Sequence, residues 1–176
     1  MRLSEYSAAA DYLDRLLAID PTNKEYRRML GTVQLSAGRI APNIAIGDVD
    51  ADGKSTDPIF LALLGTAYLK NGRVSEVRAS LEQALELNPG SVPIRTQIAF
   101  SKMRFDELDE AMTELVEIRK EAPGFPLAGV LHAFGYVQQD EKERALDVAN
   151  VMLNSHQEDP LYHNLRGFLH GAFGDD

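Results

Sequence analysis

The sequence predicts an all-α fold, a right-handed α-solenoid in which antiparallel helix pairs stack one on another. Three observations predict it. Small residues recur every 34 residues, turn-forming residues recur at the same interval, and prolines punctuate the chain in the same register. Self-similarity at a fixed period of this kind is typical of repeat proteins, whose units bury a continuous core only when they stack.

The first series of small residues predicts where the two helices of each pair approach closely. A small side chain in the first helix, helix A, lets the second, helix B, pack against it. This series consists of Gly31, Gly65, Ala99, Ala133 and Gly167. A second series near the start of helix B packs back on helix A, and it consists of Ala9, Asn43, Val77, Ala111 and Ala145.

Turn residues and prolines predict where the helices end. Gly or Asp follows each small residue of helix A by seven positions, in the turn between the helices, where glycine tolerates a positive φ. These residues are Gly38, Gly72, Asp106, Asp140 and Gly174. Proline cannot continue a helix, and Pro21, Pro89 and Pro123 follow helix B, with Ser55 and Gln157 in the remaining slots.

The unit at 58–91 resembles the tetratricopeptide repeat (TPR) family. Its family-type residues are Leu64, Gly65, Tyr68, Gly72, Leu81, Ala84 and Pro89, with Val77 where alanine is usual. The resemblance extends over the whole chain and implies helix pairs that bind other proteins. Departures from the family pattern are Asn43, Gly47 and Asp50 in the first full unit, Lys102 where tyrosine is usual, and Arg166 where leucine is usual.

This register divides the chain into one array. Residues 1–23 hold a half-repeat (helix B), the full repeats are 24–57, 58–91, 92–125 and 126–159, and residues 160–176 hold a half-repeat (helix A). Arrays normally end in capping helices with a polar outer face, whereas the segment 161–173 is largely apolar. We therefore expect a piece of a longer array, whose exposed ends could pair end to end or as a dimer.

Composition narrows the classes of partner. The net charge of −9 disfavours nucleic acid, since phosphate contacts need concentrated Lys and Arg. The chain has no cysteine, which excludes disulfides and thiolate metal sites but does not fix the compartment. No apolar run approaches the roughly 18 residues of a spanning helix, so we expect no direct membrane insertion by this segment.

The resemblance implies that helix A lines the inner, partner-binding face of the superhelix. The residue after each small residue of helix A is Thr32, Thr66, Phe100, Phe134 and Phe168 in turn. Flanking positions add Met103, Val130, Val137 and Asn164. The sequence therefore predicts an apolar, aromatic groove for an amphipathic helix or extended peptide. The alternative is that the rings pack between neighbouring A helices. The carboxylate clamp of some TPR proteins needs basic residues and asparagines at these positions and is not expected.

Two patterns were weighed as chemical sites. Asp48, Asp50 and Asp52 before Gly53 copy the first half of an EF-hand calcium loop, but its twelfth position is Ile59, and Asp57 could serve only in a shortened loop. The other interpretations are an acidic turn at a helix end and a calcium-stiffened spacer. The histidines (His132, His156, His163 and His170) lack metal-ligand spacing, so we expect no metal, cofactor or catalytic site.

These observations predict a non-catalytic protein-interaction scaffold. The segments 94–99, 143–149 and 160–167 are similar to those of the large bacterial TPR proteins of the PEP-CTERM/exosortase sorting system. That resemblance implies a bacterial periplasmic or envelope protein connected with sorting or exopolysaccharide export, and without it a cytoplasmic location stays open. The alternative is the substrate-presenting TPR arm of a larger enzyme such as a glycosyltransferase.

Overall fold

The structure is a computed structural model that describes residues 2–38, 55–155 and 158–174. These residues form nine α-helices and no strand. In chain order they are α1 (Arg2–Ile19), α2 (Lys24–Ser36), α3 (Pro58–Lys70), α4 (Val74–Leu87), α5 (Val92–Arg104), α6 (Leu108–Glu121), α7 (Pro126–Gln138), α8 (Lys142–Ser155) and α9 (Pro160–Ala172). The all-α prediction is confirmed. Within the described ranges, no helix is both long and apolar enough to cross a bilayer.

The helices that the sequence assigns as helix A start at a constant interval. They are α2, α3, α5, α7 and α9, and they begin at residues 24, 58, 92, 126 and 160. Three of them start with proline at the first helical position, where the missing N–H is not needed. The 34-residue period is therefore a period of helix starts as well as of residue types.

Each turn that follows helix A has a residue in the left-handed region. The five residues are Gly38, Gly72, Asp106, Asp140 and Gly174, with φ between 58° and 74°. The next backbone N–H then bonds to a carbonyl of the last helical turn, as from Arg73 to Tyr68, 3.1 Å, and from Glu141 to Tyr136, 2.9 Å. Aspartate tolerates this conformation better than most residues, which explains why it can replace glycine at two of the five turns.

The chain forms two compact units, 1–97 and 98–176, and the boundary lies within α5. In the first unit, α1 packs on α2, α2 on α3, and α3 on α4. The core between α3 and α4 contains Phe60, Val77 and Ala84, each at most 1% exposed. A Cβ added to Gly65 would lie 2.8 Å from the side chain of Leu81, so this glycine permits the close approach that its position predicts.

The second unit repeats this arrangement with different residues. Here α6 packs on α7, α7 on α8, α8 on α9, and α7 also contacts α9. Its core holds Ala111, Ala133 and Ala145, all fully buried. These alanines belong to the two series of small residues, so the predicted contact of helix A with helix B is confirmed.

The start of α3 depends on one carboxylate. Asp57 is 8% exposed and caps the helix by accepting hydrogen bonds from the backbone N–H groups of Ile59, 3.0 Å, and Phe60, 3.3 Å. It also pairs with Arg28 of α2, with 2.8 Å between Arg28 Nε and Asp57 Oδ2. This carboxylate is therefore already used by the protein, and Ile59 lies inside α3, so neither completes a calcium loop. Asp48, Asp50 and Asp52 lie outside the described residues.

We expect Asp57→Ala to lower the free energy of unfolding by about 2 kcal/mol, because it removes a cap together with a part-buried ion pair. Denaturant unfolding followed by circular dichroism measures this change. Asp159→Ala is the matched control. Asp159 caps α9 through a hydrogen bond from the N–H of Leu161, 2.9 Å, and its loss should cost about 1 kcal/mol. Equal costs for the two variants would contradict a role for the Arg28 contact.

Candidate peptide-binding strip

Three phenylalanines at one repeat position form what we call the aromatic strip: Phe100 on α5, Phe134 on α7 and Phe168 on α9. Phe100 is 40% exposed and Phe168 is 50% exposed, while Phe134 is half-buried. The rings of Phe134 and Phe168 lie 5.1 Å apart between centroids and are tilted by 43°. This separation is within the range of favourable aromatic pairs.

The two interpretations of the strip offered by the sequence are both partly met. Phe134 packs against the core cluster formed by α7, α8 and α9, which includes Leu165 and Leu169. Phe168 contacts Phe134 yet leaves half of its surface open. The rings therefore stabilise the contact between neighbouring A helices and still present apolar surface to solvent.

The flanking residues predicted for this groove differ in exposure. Val130 and Val137 are half-buried and pack against the same core cluster as Phe134. Met103 is only 8% exposed, so most of its side chain contributes to packing. Asn164 is exposed on α9 and offers a polar group beside the apolar surface. Binding of a partner by these residues stays a prediction.

Two leucines that the sequence analysis did not single out extend the strip. Leu127 is 47% exposed and Leu161 is 44% exposed. They precede Phe134 and Phe168 by seven residues, an interval that brings side chains to the same face of a helix. The signal was available, because Leu127 and Leu161 are themselves 34 residues apart. Strip and leucines together give α7 and α9 an apolar face with a polar edge.

The same face of α2 and α3 in the first unit is different. Thr32 and Thr66 replace the phenylalanines, and they line a shallow depression with Leu35, Leu63 and Lys70. Their hydroxyls donate to the carbonyls of Arg28, 3.0 Å, and Ala62, 3.1 Å, of their own helices. These hydroxyls are already bonded within the helix, so the first unit lacks the aromatic anchors of the second.

One histidine is placed in a way that the sequence did not predict. His132 is 4% exposed on α7, and its Nδ1 lies 2.8 Å from Nη1 of Arg119 on α6. Since arginine only donates, Nδ1 is the acceptor and the proton resides on Nε2. That Nε2 is buried and has no hydrogen-bond partner in the described part of the chain. Burial, together with the charges of Arg119 and Arg144, lowers the pKa of His132 to about 4.

Aromatic and charged groups surround this pair. The His132 and Tyr136 rings are 4.8 Å apart, and the guanidinium of Arg144 on α8 lies 4.6 Å from the Tyr136 ring centroid. Arg144 also binds Glu141, with 2.7 Å between Nη1 and Oε2. The other histidines are arranged differently, because His163 and His170 are exposed, and His156 lies outside the described residues. Within the described ranges, no three His, Asp or Glu side chains converge to hold a metal.

Comparison with known proteins places this repeat. A family model described as tetratricopeptide repeat matches residues 68–133, which hold the turn at Gly72, all of α4 to α6 and the first half of α7. The chain is a TPR protein. No curated protein sequence matches it.

Solved structures of TPR proteins share the fold. YrrB, described as a TPR protein with an unusual peptide-binding site, is 18% identical, with a TM-score of 0.65 over 93% of this chain and 84% of that one. A thermophilic TPR protein of Thermus thermophilus is 20% identical, with a TM-score of 0.64 over 97% and 91%. A TPR protein of Parabacteroides merdae is 14% identical, with a TM-score of 0.71 over 98% and 68%. At these identities the TPR fold is what is shared.

Proposed function

We propose that this protein is a non-catalytic scaffold that binds an amphipathic helix or an extended peptide along the aromatic strip. The observation that carries the proposal is the exposure of Phe100 and Phe168 at one repeat position. Exposed aromatic side chains in a row are typical of surfaces that bind protein partners. Leu127 and Leu161 widen that surface at the spacing at which a helix or strand places successive apolar side chains.

The comparisons support this function at the level of the fold. TPR proteins are in general non-catalytic, protein-binding scaffolds, and YrrB is described as having a peptide-binding site. The described residues that could carry chemistry are already used for structure: Asp57 caps a helix, and His132 is buried against Arg119. An enzyme site is therefore not part of the proposal.

Selection from a random peptide display library tests the proposal. We expect the selected peptides to carry apolar residues at helical or alternating spacing, and to lose most of their affinity for a Phe100→Glu/Phe168→Glu variant. Both side chains are exposed, so the variant should fold, as circular dichroism can verify. Each buried aromatic anchor typically contributes about 2 kcal/mol or more to binding, so loss of both should weaken binding at least about a hundredfold.

Leu87→Glu is the matched control for this experiment. Leu87 is 44% exposed at the end of α4, away from any A helix, so the change adds a charge at an exposed apolar site outside the strip. Peptides that bind the control and the wild type equally, but not the double variant, would support the strip as the binding surface. Peptides that bind all three proteins equally would refute it.

We further propose that the system served is bacterial envelope sorting or exopolysaccharide export. What supports this is the similarity of the segments 94–99, 143–149 and 160–167 to TPR proteins of the PEP-CTERM/exosortase system. The alternative, a substrate-presenting arm of a larger enzyme, predicts a catalytic domain in the same polypeptide. Sequencing the gene and its neighbours distinguishes them, because sorting genes alongside would support the first and a fused glycosyltransferase domain would refute it.

A further inference from the structure

The pair Arg119 and His132 stands at two repeat positions that are otherwise occupied mainly by leucine. The residues in the register of Arg119 include Leu17, Leu85 and Leu153. Those in the register of His132 are Leu30, Leu64, Ile98 and the exposed Arg166. In the first unit, Leu17 packs against the buried cluster that contains Leu30. An apolar contact between consecutive repeats is therefore replaced, between α6 and α7, by a polar one.

This replacement is costly to the fold. A buried polar group stabilises less than a well-packed leucine, and a buried N–H without a partner costs further free energy. His132 Nε2 is such a group in the described part of the chain, and burial lowers the pKa of Arg119 as well. Polar groups retained at an apolar repeat position are expected where they serve binding.

Arg119 is also the charge that has no neutralising partner at this place. Its hydrogen bond is to neutral His132, and within the described ranges no carboxylate lies at ion-pair distance from its guanidinium. A guanidinium has five N–H donors, so several remain for a ligand. Arg144, Asp147, Tyr136 and Val151 line the same depression, where Asp147 and the Arg144-bound Glu141 would repel a doubly charged anion more than a singly charged one.

An apolar depression adjoins the other side of Arg119. Pro123, Phe125, Val151, Met152 and Tyr162 line it, together with Arg119 itself. A ligand with an apolar group next to its charge could therefore bury that group here while its charge meets the guanidinium. This surface is separate from the aromatic strip, because His132 and Phe134 are two residues apart and lie on nearly opposite sides of α7.

We propose that Arg119, positioned by His132 and assisted by Arg144, binds the carboxylate of a ligand whose apolar group lies against Phe125 and Val151. The carboxyl terminus of a peptide with an apolar last residue has this chemistry, as does a small apolar carboxylic acid. Carboxylates pair with arginine in a planar, two-bonded geometry that an ammonium cannot match. The site does not depend on the function proposed for the strip.

Titration of the intact protein with N-acetyl-leucine, followed by NMR of the Arg119 Nε–H signal at constant ionic strength, tests the proposal. The expected result is a saturable shift. N-acetyl-leucinamide lacks the charge and acetate lacks the apolar group, so each should bind at least about tenfold more weakly. Inorganic phosphate should also bind more weakly than N-acetyl-leucine. Equal binding of the amide or tighter binding of phosphate would overturn the proposal, as would the absence of a saturable shift.

An Arg119→Leu/His132→Leu variant provides the second arm. It restores the apolar pair of the other repeats and should fold, and backbone amide shifts near Val151 should show at least about tenfold weaker binding of N-acetyl-leucine. Arg166→Leu, which removes the same charge from the register of His132, should bind like the wild type. Tighter binding of a leucine-terminated peptide than of N-acetyl-leucine identifies a chain end as the source, and equal or weaker binding identifies a small acid. Unchanged affinity in the double-leucine variant would refute the site.

Discussion

Replacement of Ala133 by leucine is expected to lower the free energy of unfolding by about 3 kcal/mol, because overpacking a full core forces strained side chains or a shift of the backbone. Ala133 is fully buried and belongs to the cluster that contains Ala145 and Ala149 of α8, which are also fully buried. Three further carbon atoms at this contact would push α7 and α8 apart. Denaturant unfolding of the variant and the wild type measures the cost.

Gly167→Leu is the matched control, because Gly167 is the equivalent small residue of α9. A Cβ added there meets nothing within 4 Å, and leucine favours a helix over glycine by about 0.5 to 1 kcal/mol. This variant should therefore be slightly more stable than the wild type. A similar loss of stability in both variants would show that the cost depends on helix propensity at this position and not on the packing of helix A against helix B.

The contrast between these two positions shows why the fold could be predicted from the sequence. Each repeat needs a small residue where helix B crosses helix A and a residue that tolerates positive φ in the turn, and both demands recur every 34 residues. The structure meets them at Ala133 and at Asp140, where φ is 58°. Local requirements repeated at one period fix the helix starts without knowledge of any distant contact.

The exposure of the aromatic strip could not be obtained in the same way. Periodicity places Phe134 and Phe168 at one position of helix A, but the open fraction of each ring depends on which side chains the neighbouring helices bring against it. Phe134 meets the ring of Phe168 and the core of α8 and α9, whereas Phe168 remains 50% exposed. Such differences arise from packing between repeats, which a single-residue series does not describe.

The contact between Arg119 and His132 was missed for a related reason. Counting histidines and testing them for metal spacing compared each histidine with a ligand set and not with its own repeat register. The register holds the signal, because Leu85 and Leu153 stand where Arg119 does, and Leu64 stands where His132 does. Departures from the apolar pattern of a repeat are more informative about a site than the residue types taken alone.

The largest pH effect should come from His132. Its pKa is about 4 in the folded protein, against the ordinary value of 6.5 that the unfolded chain should show. The unfolded state therefore binds a proton first as the pH falls, so the stability contributed by neutral His132 is present above pH 6.5 and is lost on acidification toward pH 4. One pKa unit corresponds to about 1.36 kcal/mol, so the free energy of unfolding should drop by about 2 kcal/mol between pH 7 and pH 5.

The groups around His132 make this drop specific. Arg119 from α6 and Arg144 from α8 oppose protonation, whereas Asp147, which lines the same depression, favours it. The Arg119→Leu/His132→Leu variant removes the titrating group, and an apolar pair in place of a buried polar one is expected to stabilise the protein by about 1 kcal/mol or more. At pH 5 this variant should therefore exceed the wild type by about 3 kcal/mol.

Urea unfolding at a series of pH values from 7 to 5 measures this difference. A variant in which the exposed His163 and His170 are both changed to asparagine serves as the control, and it should retain most of the slope of the wild type. If the double-leucine variant keeps that slope while the asparagine control loses it, His132 does not titrate as its burial requires. The Arg119 guanidinium would then not be held against a neutral imidazole, and the geometry on which the carboxylate site rests would be wrong.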